Sequence, residues 1–139
     1  MQHISNWKEE DLFKYLQAKI PDLKKMEDKY SRWDCVSDDR KYVVELKCRK
    51  THYPTLLIEK KKYDALVDKA LILNYQPIYI NSTPLGIFGW NILKEHIDWK
   101  IEHKHPSSTQ FHNRNTVPKE VGYLSIDSSH KVLKVLNNG

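Results

Sequence analysis

The stretch of sequence that decides the fold is Trp33-Asp34-Cys35-Val36-Ser37-Asp38-Asp39-Arg40-Lys41-Tyr42-Val43-Val44-Glu45-Leu46-Lys47-Cys48-Arg49. It predicts a hairpin of two strands, Tyr30 to Ser37 and Lys41 to Arg49, joined by a polar turn. Side chains two positions apart on a strand share a face, so Glu45 and Lys47 are expected to point the same way. The residues expected to point toward a core on the other face are Val44, Leu46 and Cys48.

Such a hairpin can also bring Asp34 onto the face of Glu45 and Lys47. Two carboxylates and an ammonium would then converge at the edge of a buried sheet. Carboxylate oxygens are ligands that Mg²⁺ accepts, and a cation held there can act on a neighbouring phosphate. The hairpin therefore predicts a site that holds a divalent cation beside a phosphodiester.

The Glu-x-Lys tripeptide carries little weight by itself. The chain has eight Glu and nineteen Lys, and the tripeptide occurs four times, starting at Glu27, Glu45, Glu59 and Glu102. The first and third occurrences fall in segments predicted to be helical, where residues i and i+2 diverge by about 200°. The fourth lies in a weak strand beside a loop. The occurrence at Glu45 stands out because it lies inside an apolar strand that follows an acid-bearing strand.

Hydrophobic periodicity predicts helices and further strands around the hairpin. The segments expected to be helical are residues 5–20, a short segment from Leu23 to about Lys29, residues 55–73, and a turn at Lys131 to Leu136. The segments expected to be strands are Gln76 to Asn81, Leu85 to Leu93, Trp99 to His103 and Val121 to Ile126, the last with a short helix as the alternative. Residues 104–119 are polar and are expected to form a long surface loop.

This order of elements predicts an α/β (α+β) fold with a mixed central β-sheet flanked by helices. We expect residues 1–139 to form a single domain, with a core over about 5–93 and a loop and strand extension over about 94–139.

Composition narrows the class of protein further. The net charge of +5 and the isoelectric point near 9.1 are compatible with a polyanionic partner. The sequence begins without the apolar core of a signal peptide, and no apolar run approaches the ~18 residues of a membrane span. We therefore expect a cytoplasmic protein with no membrane partner. Cys35 and Cys48 are expected to be small buried residues, although the sequence leaves a disulfide between them open.

At this point the chain resembles the PD-(D/E)xK nuclease superfamily, which has the restriction-endonuclease-like fold. The superfamily motif is an acid on one strand and, roughly 10 to 20 residues later, Glu or Asp-x-Lys on the next. Asp34 matches the first acid, Glu45 the second, eleven residues later, and Lys47 the lysine. Trp33 stands where the motif has proline. The resemblance covers roughly residues 5–82 and is greatest to small phage-type or resolvase-like members. The extra strand that the superfamily usually has before the hairpin is not evident in the sequence.

The resemblance implies a Mg²⁺-dependent deoxyribonuclease, in which Mn²⁺ is expected to substitute for Mg²⁺. Asp34 and Glu45 would bind the metal, with the Leu46 carbonyl as a third protein ligand. Lys47 would orient the attacking water or stabilise the developing charge. In several branches a glutamate of the opening helix joins the metal, and the candidates are Glu27, which is preferred, Glu10 and Glu9.

DNA is the expected partner, and the sequence leaves RNA and a homodimer open. The residues expected to bind the nucleic-acid backbone are Arg49, Lys50, Lys60, Lys61 and Lys62. For Lys60, Lys61 and Lys62, the alternative is a solvated helix face that does not contact DNA. For Asp34, Glu45 and Lys47, the alternative is a solvated ion pair across the hairpin. The alternative functions are a catalytically silent nucleic-acid-binding or scaffold protein on the same fold and, more weakly, a protein-interaction domain.

Overall fold

The computed structural model describes residues 3–26, 33–106 and 116–133. Its two α-helices are α1 (Glu9–Gln17) and α2 (Lys60–Leu73), and short 3₁₀ helices lie at Ile4–Asn6, Ile92–Lys94 and Ile126–Ser128. The strands are β1 (Lys24–Lys25), β2 (Asp34–Ser37), β3 (Tyr42–Cys48), β4 (Thr55–Glu59), β5 (Gln76–Thr83), β6 (Gly86–Asn91), β7 (Lys100–Pro106), β8 (Thr116–Ser125) and β9 (His130–Leu133).

A mixed sheet forms the centre of the molecule. Its strand order is β1-β2-β3-β5-β6-β9, and β3 and β5 run parallel while the other neighbours run antiparallel. A parallel pair needs a crossover connection, and α2 supplies it between β3 and β5. The mixed central sheet and the β2–β3 hairpin expected from the sequence are therefore confirmed.

Both faces of this sheet are covered. On one face, Leu12 and Leu16 of α1 pack with Val44 and Leu46 of β3. On the other face, Leu66 and Ala70 of α2 pack with Val43, Tyr79 and Trp90. Because Val43 and Val44 point to opposite faces and are both fully buried, β3 is a central strand with a core on each side.

A second sheet with the order β4-β8-β7 adds to the core on the α2 side. Leu56, Ile58 and Leu124 from this sheet are buried against the residues that α2 covers. The indole N–H of Trp90 donates to the carbonyl oxygen of Ser125 at 2.9 Å, which ties β6 to the end of β8.

Two helix predictions in the first half of the chain are wrong. The helix expected over 55–73 begins only at Lys60, because residues 55–59 form β4 and pair with β8. The buried positions of β4 alternate, with Leu56 and Ile58 inside, which is the period of a strand. The short helix expected after Leu23 is replaced by β1, where Lys24 lies opposite Val36. This two-residue strand supplies the extra strand before the hairpin that the sequence does not reveal.

The strands predicted between residues 76 and 103 are confirmed as β5, β6 and β7, and residues 121–125 belong to β8. The loop expected over 104–119 is too long at both ends, since β7 continues to Pro106 and β8 begins at Thr116. The helical turn expected from Lys131 is wrong, because β9 pairs there with β6. The remainder of that turn, residues 134–136, lies outside the described residues, as does the expected start of β2 at Tyr30. Neither of the helices that the structure describes has the length and apolar character needed to cross a bilayer.

Packing of α2 on the sheet can be tested at Leu66, whose side chain is 1% exposed. We expect Leu66→Ala to lower the free energy of unfolding by about 2–5 kcal/mol, because it leaves a cavity under the helix. Ile72→Ala changes an apolar residue of the same helix that is 84% exposed, and should shift the value by less than about 0.5 kcal/mol. Urea denaturation followed by circular dichroism measures both. Equal losses in the two variants would contradict this packing.

Candidate active site

Pairing of β2 with β3 brings the two predicted acids together. Asp34 lies directly opposite Glu45 in the antiparallel register, so both side chains share one face of the sheet. Asp34 is only 5% exposed, whereas Glu45 is half-buried. Lys47 follows on the same face, two residues along β3, and its side chain is exposed. The hairpin thus forms a half-buried carboxylate pair with an exposed lysine at one end.

Helix α2 covers this face and adds lysines to it. Lys62, Leu66 and Lys69 stand at positions i, i+4 and i+7, which lie on one side of a helix. Since Leu66 is buried against the sheet, that side of α2 faces the carboxylates. The ammonium of Lys69 forms an ion pair with Oδ2 of Asp34, and the two side chains are 21% and 8% exposed. Lys69 is therefore part of the site, although sequence reasoning missed it.

The electrostatics of the pair follow from its burial. Burial and, to a smaller extent, the charge of Asp34 raise the pKa of Glu45 to about 7, although the nearby ammonium groups of Lys62, Lys69 and Lys47 lower it. The raised pKa means that these lysines do not fully offset the burial of two facing carboxylates. A divalent cation between the two acids would favour the ionised form of Glu45. The donor set therefore fits a hard cation such as Mg²⁺.

Metal ligands beyond the two acids are few in the described part of the chain. No cluster of three or more His, Cys, Asp or Glu side chains that could hold a metal ion occurs there. The structure does not bring Glu9 or Glu10 to Asp34, because α1 packs on the opposite face of the sheet. The preferred candidate Glu27 lies outside the described residues. The protein ligands that remain are the two carboxylates and the main-chain carbonyl of Leu46. The role of all three as metal ligands stays a prediction.

The predicted nucleic-acid-binding residues occupy different environments. Lys50, Lys61 and Lys62 are exposed. Lys60 pairs with Asp64 at 2.6 Å and also lies against the rings of Tyr63 and Trp99.

Arg49 is half-buried and makes several hydrogen bonds within the protein. Its guanidinium donates to Oδ1 of Asn81 at 2.9 Å, to the hydroxyl of Tyr79 at 3.1 Å, and to the carbonyl oxygen of Leu57. Arg49 thus ties β4 to the central sheet, which sets it apart from the exposed lysines. A role for Arg49 in binding DNA stays a prediction.

The two cysteines do not contribute a nucleophile. Both thiols are free, so the disulfide that the sequence left open does not form. Burial raises the pKa of Cys35 to about 12 and that of Cys48 to about 11, which keeps both thiols protonated near neutral pH.

The raised pKa of Glu45 predicts a pH dependence of stability in metal-free buffer. The folded protein binds this proton more tightly than the unfolded chain, whose glutamate has the ordinary value of 4.5. Its stabilising contribution is therefore complete below about pH 4.5 and is lost as the pH rises through about 7. We expect Glu45→Gln to remove this loss and to be about 2 kcal/mol more stable than the wild type at about pH 8.

Urea denaturation in the presence of a chelator, at about pH 5 and about pH 8, measures this effect. Glu120→Gln is the matched control, because it makes the same chemical change at an exposed position of β8. If the wild type and Glu45→Gln had the same pH dependence, the burial of Glu45 opposite Asp34 would be refuted.

Comparison with known proteins supports the fold. No protein-family model and no curated protein matches the sequence. Among solved structures, the chain is similar to Hjc, a Holliday junction resolvase from the archaeal hyperthermophile Archaeoglobus fulgidus. The likeness has a TM-score of 0.56 and covers 93% of this chain and 96% of that chain, at 11% sequence identity. The likeness shows the fold: this chain shares the mixed α+β architecture of that structure, with a mixed central sheet flanked by helices.

Proposed function

We propose that this protein is a metal-dependent endonuclease that hydrolyses phosphodiester bonds in DNA, with branched DNA as its preferred substrate. The observation that carries the proposal is the direct pairing of Asp34 with Glu45, with Lys47 two residues along on the same face. An acid pair of this kind, half-buried and lined by lysines, binds a hard cation and attracts a phosphate.

Asp34, Glu45 and the carbonyl of Leu46 would hold Mg²⁺, with Mn²⁺ as a substitute and Glu27 as a further candidate ligand. When bound, the cation polarises the phosphate and lowers the pKa of the attacking water. The support for this assignment is the chemistry of the donors: oxygen ligands, two of them charged, on a strand pair fixed by the sheet.

Lys47 has a different role from the two acids. Its exposed side chain stands on the same face of β3 as Glu45, at the side of the pair that is open to a substrate. There the ammonium orients the attacking water or stabilises the negative charge that develops on the phosphate. The charge of Lys47 also lowers the pKa of Glu45, so its ammonium group acts on the carboxylate pair itself.

DNA is the proposed partner for two reasons. The chain carries a net charge of +5, and exposed lysines lie at the start of α2 and after β3, of which Lys62 is close enough to Glu45 to lower its pKa. The structure that resembles this chain is a Holliday junction resolvase, which makes a four-way junction the substrate to test first. A junction has more than one strand to cut, so a homodimer is the assembly to test with it.

The alternative is a catalytically silent DNA-binding protein on the same fold. The ion pair of Lys69 with Asp34 favours it, because this pair neutralises one of the two acids without a metal. The alternative requires salt-sensitive binding of DNA and no cleavage with any divalent cation.

Cleavage of DNA tests the proposed function. We expect the wild type to cut a labelled four-way junction in Mg²⁺ or Mn²⁺, and to cut linear duplex, single-stranded DNA and RNA more slowly. Asp34→Ala, Glu45→Ala and Lys47→Ala should each lower the rate by at least about 100-fold, because each removes a group that acts on the reacting phosphate. Denaturing gels with strand-specific labels measure the rates.

Controls separate the site from general charge effects. Glu120→Ala and Lys94→Ala remove the same charges at exposed positions outside the site and should leave the rate within about twofold. Full activity in Glu45→Ala would refute the assigned site. DNA binding without cleavage in both metals would favour the silent alternative.

Salt dependence tests the lysines of α2. Lys61→Ala and Lys62→Ala should each weaken binding to DNA and reduce the slope of log affinity against log salt by about 0.9, because each removes one phosphate contact. Lys94→Ala, which removes an exposed charge outside α2 and the hairpin, should leave the slope unchanged. Fluorescence anisotropy with the junction in a chelating buffer at several salt concentrations gives the slopes. An unchanged slope in both α2 variants would assign these lysines to a solvated helix face.

A further inference from the structure

We propose that Lys69 is a metal-responsive counter-ion, whose ammonium holds Asp34 in the metal-free protein and passes to a DNA phosphate when a divalent cation binds. The role rests on the proposed function, since it requires both a metal and DNA at this site. It gives Lys69 a positioning role in that function, as the residue that couples the binding of metal to the binding of DNA.

The metal-free protein needs a cation at Asp34. The carboxylate is 8% exposed, and Glu45 faces it directly across the hairpin. A buried carboxylate without a partner is strongly destabilising, and a second carboxylate opposite it adds repulsion. Lys69 meets this need from α2, where its own side chain is 21% exposed and therefore mostly withdrawn from water. One ammonium faces two carboxylates that lie opposite one another, so it cannot offset both.

A divalent cation and the Lys69 ammonium compete for the same atom. The ammonium donates to Oδ2 of Asp34, and a metal shared by Asp34 and Glu45 would use the oxygens of that same carboxylate. The two positive charges would also repel each other at contact distance. Binding of the metal therefore moves the ammonium of Lys69 away from Oδ2.

The displaced ammonium remains beside the metal, because its stem is fixed to a packed helix. Leu66 and Ala70, on either side of Lys69 along α2, are each 1% exposed and anchor this part of the helix to the sheet. A lysine on a flexible four-carbon stem can then reach an anion bound beside the metal. When DNA is bound through the metal, a backbone phosphate is such an anion.

Lys62 provides a matched comparison on the same helix face. It stands two turns before Lys69, and its side chain is exposed, whereas that of Lys69 is largely buried in an ion pair. Lys62 can therefore contact DNA whether or not metal is present. Lys69 can do so only after it leaves Asp34. The two residues should differ in how their contributions to DNA binding depend on metal.

Binding of Mn²⁺ to the full-length, DNA-free protein gives the first test, by electron paramagnetic resonance or calorimetry. Lys69→Met should bind Mn²⁺ about tenfold more tightly than the wild type, because the competing ammonium is gone. Lys62→Met should show a clearly smaller increase in Mn²⁺ affinity than Lys69→Met. Lys69→Arg should bind Mn²⁺ more weakly, since a guanidinium holds a carboxylate through two hydrogen bonds. Affinity in Lys69→Met no tighter than in Lys62→Met would overturn the proposal.

Binding of the four-way junction gives the second test, by anisotropy in a chelator and in Ca²⁺ with the DNA checked to be intact. In chelator, Lys69→Met should bind the junction with the same affinity as the wild type. In Ca²⁺, it should lose most of the increase in DNA affinity that Ca²⁺ produces in the wild type. Lys62→Met should lose the same factor in both buffers. Equal losses for Lys69→Met in the two buffers would make Lys69 an ordinary DNA contact and overturn its metal response.

Failure of this proposal can be told apart from failure of the proposed function. The proposed function requires that the wild type binds Mn²⁺ and that Glu45→Gln abolishes this binding. If either result is not obtained, the metal site itself is wrong and both proposals fall. If the wild type binds Mn²⁺ and cuts DNA but the Lys69 variants match it in Mn²⁺ affinity, the counter-ion role alone is refuted. Lys69→Arg keeps the positive charge, so this variant decides the question if Lys69→Met does not fold. An Mn²⁺ affinity in Lys69→Arg equal to that of the wild type would overturn the counter-ion role.

Discussion

The antiparallel pairing of β2 with β3 is the constraint on which the rest of the structure depends. It places the carboxylates of Asp34 and Glu45 opposite one another on a face that α2 covers. Two like charges in a half-buried place are unfavourable, and the raised pKa of Glu45 is the direct consequence. Lysines from β3 and α2 offset part of this cost. A site with this imbalance is suited to take up a cation that carries more than one charge.

Rigidity of the hairpin comes from burial on both sides of the sheet. β3 lies between β2 and β5, and its neighbouring residues Val43 and Val44 belong to separate cores. A strand in this position cannot shift its register by one residue without exchanging its buried and polar faces. Arg49 strengthens the same region, because its guanidinium links β3 to β4 and β5. The two acids are therefore held at a fixed separation, as the proposed metal site would require.

The parts of the site that could be predicted from the sequence depend on contacts between residues close together in the chain. The parts that could not be predicted depend on contacts between residues far apart in the chain. Glu45 and Lys47 could be placed on one face from strand periodicity, and a short turn was enough to bring Asp34 to them. Lys69 lies 35 residues from Asp34 in the chain, and its position depends on how α2 packs on the sheet. The available signal for Lys69 was its position within the apolar stripe of α2, seven residues after Lys62. The strand β4 was mistaken for helix for the same reason, since its partner β8 is remote in sequence.

In the proposed function, charge in the site would link the binding of metal to the binding of DNA. The ammonium groups of Lys47, Lys62 and Lys69 lie near the carboxylate pair. A divalent cation bound by the two acids would add two positive charges to this group. The added positive charge would favour a partner with closely spaced negative charges, which a nucleic-acid backbone provides. Metal and DNA should therefore strengthen each other's binding, and by linkage the effect is reciprocal.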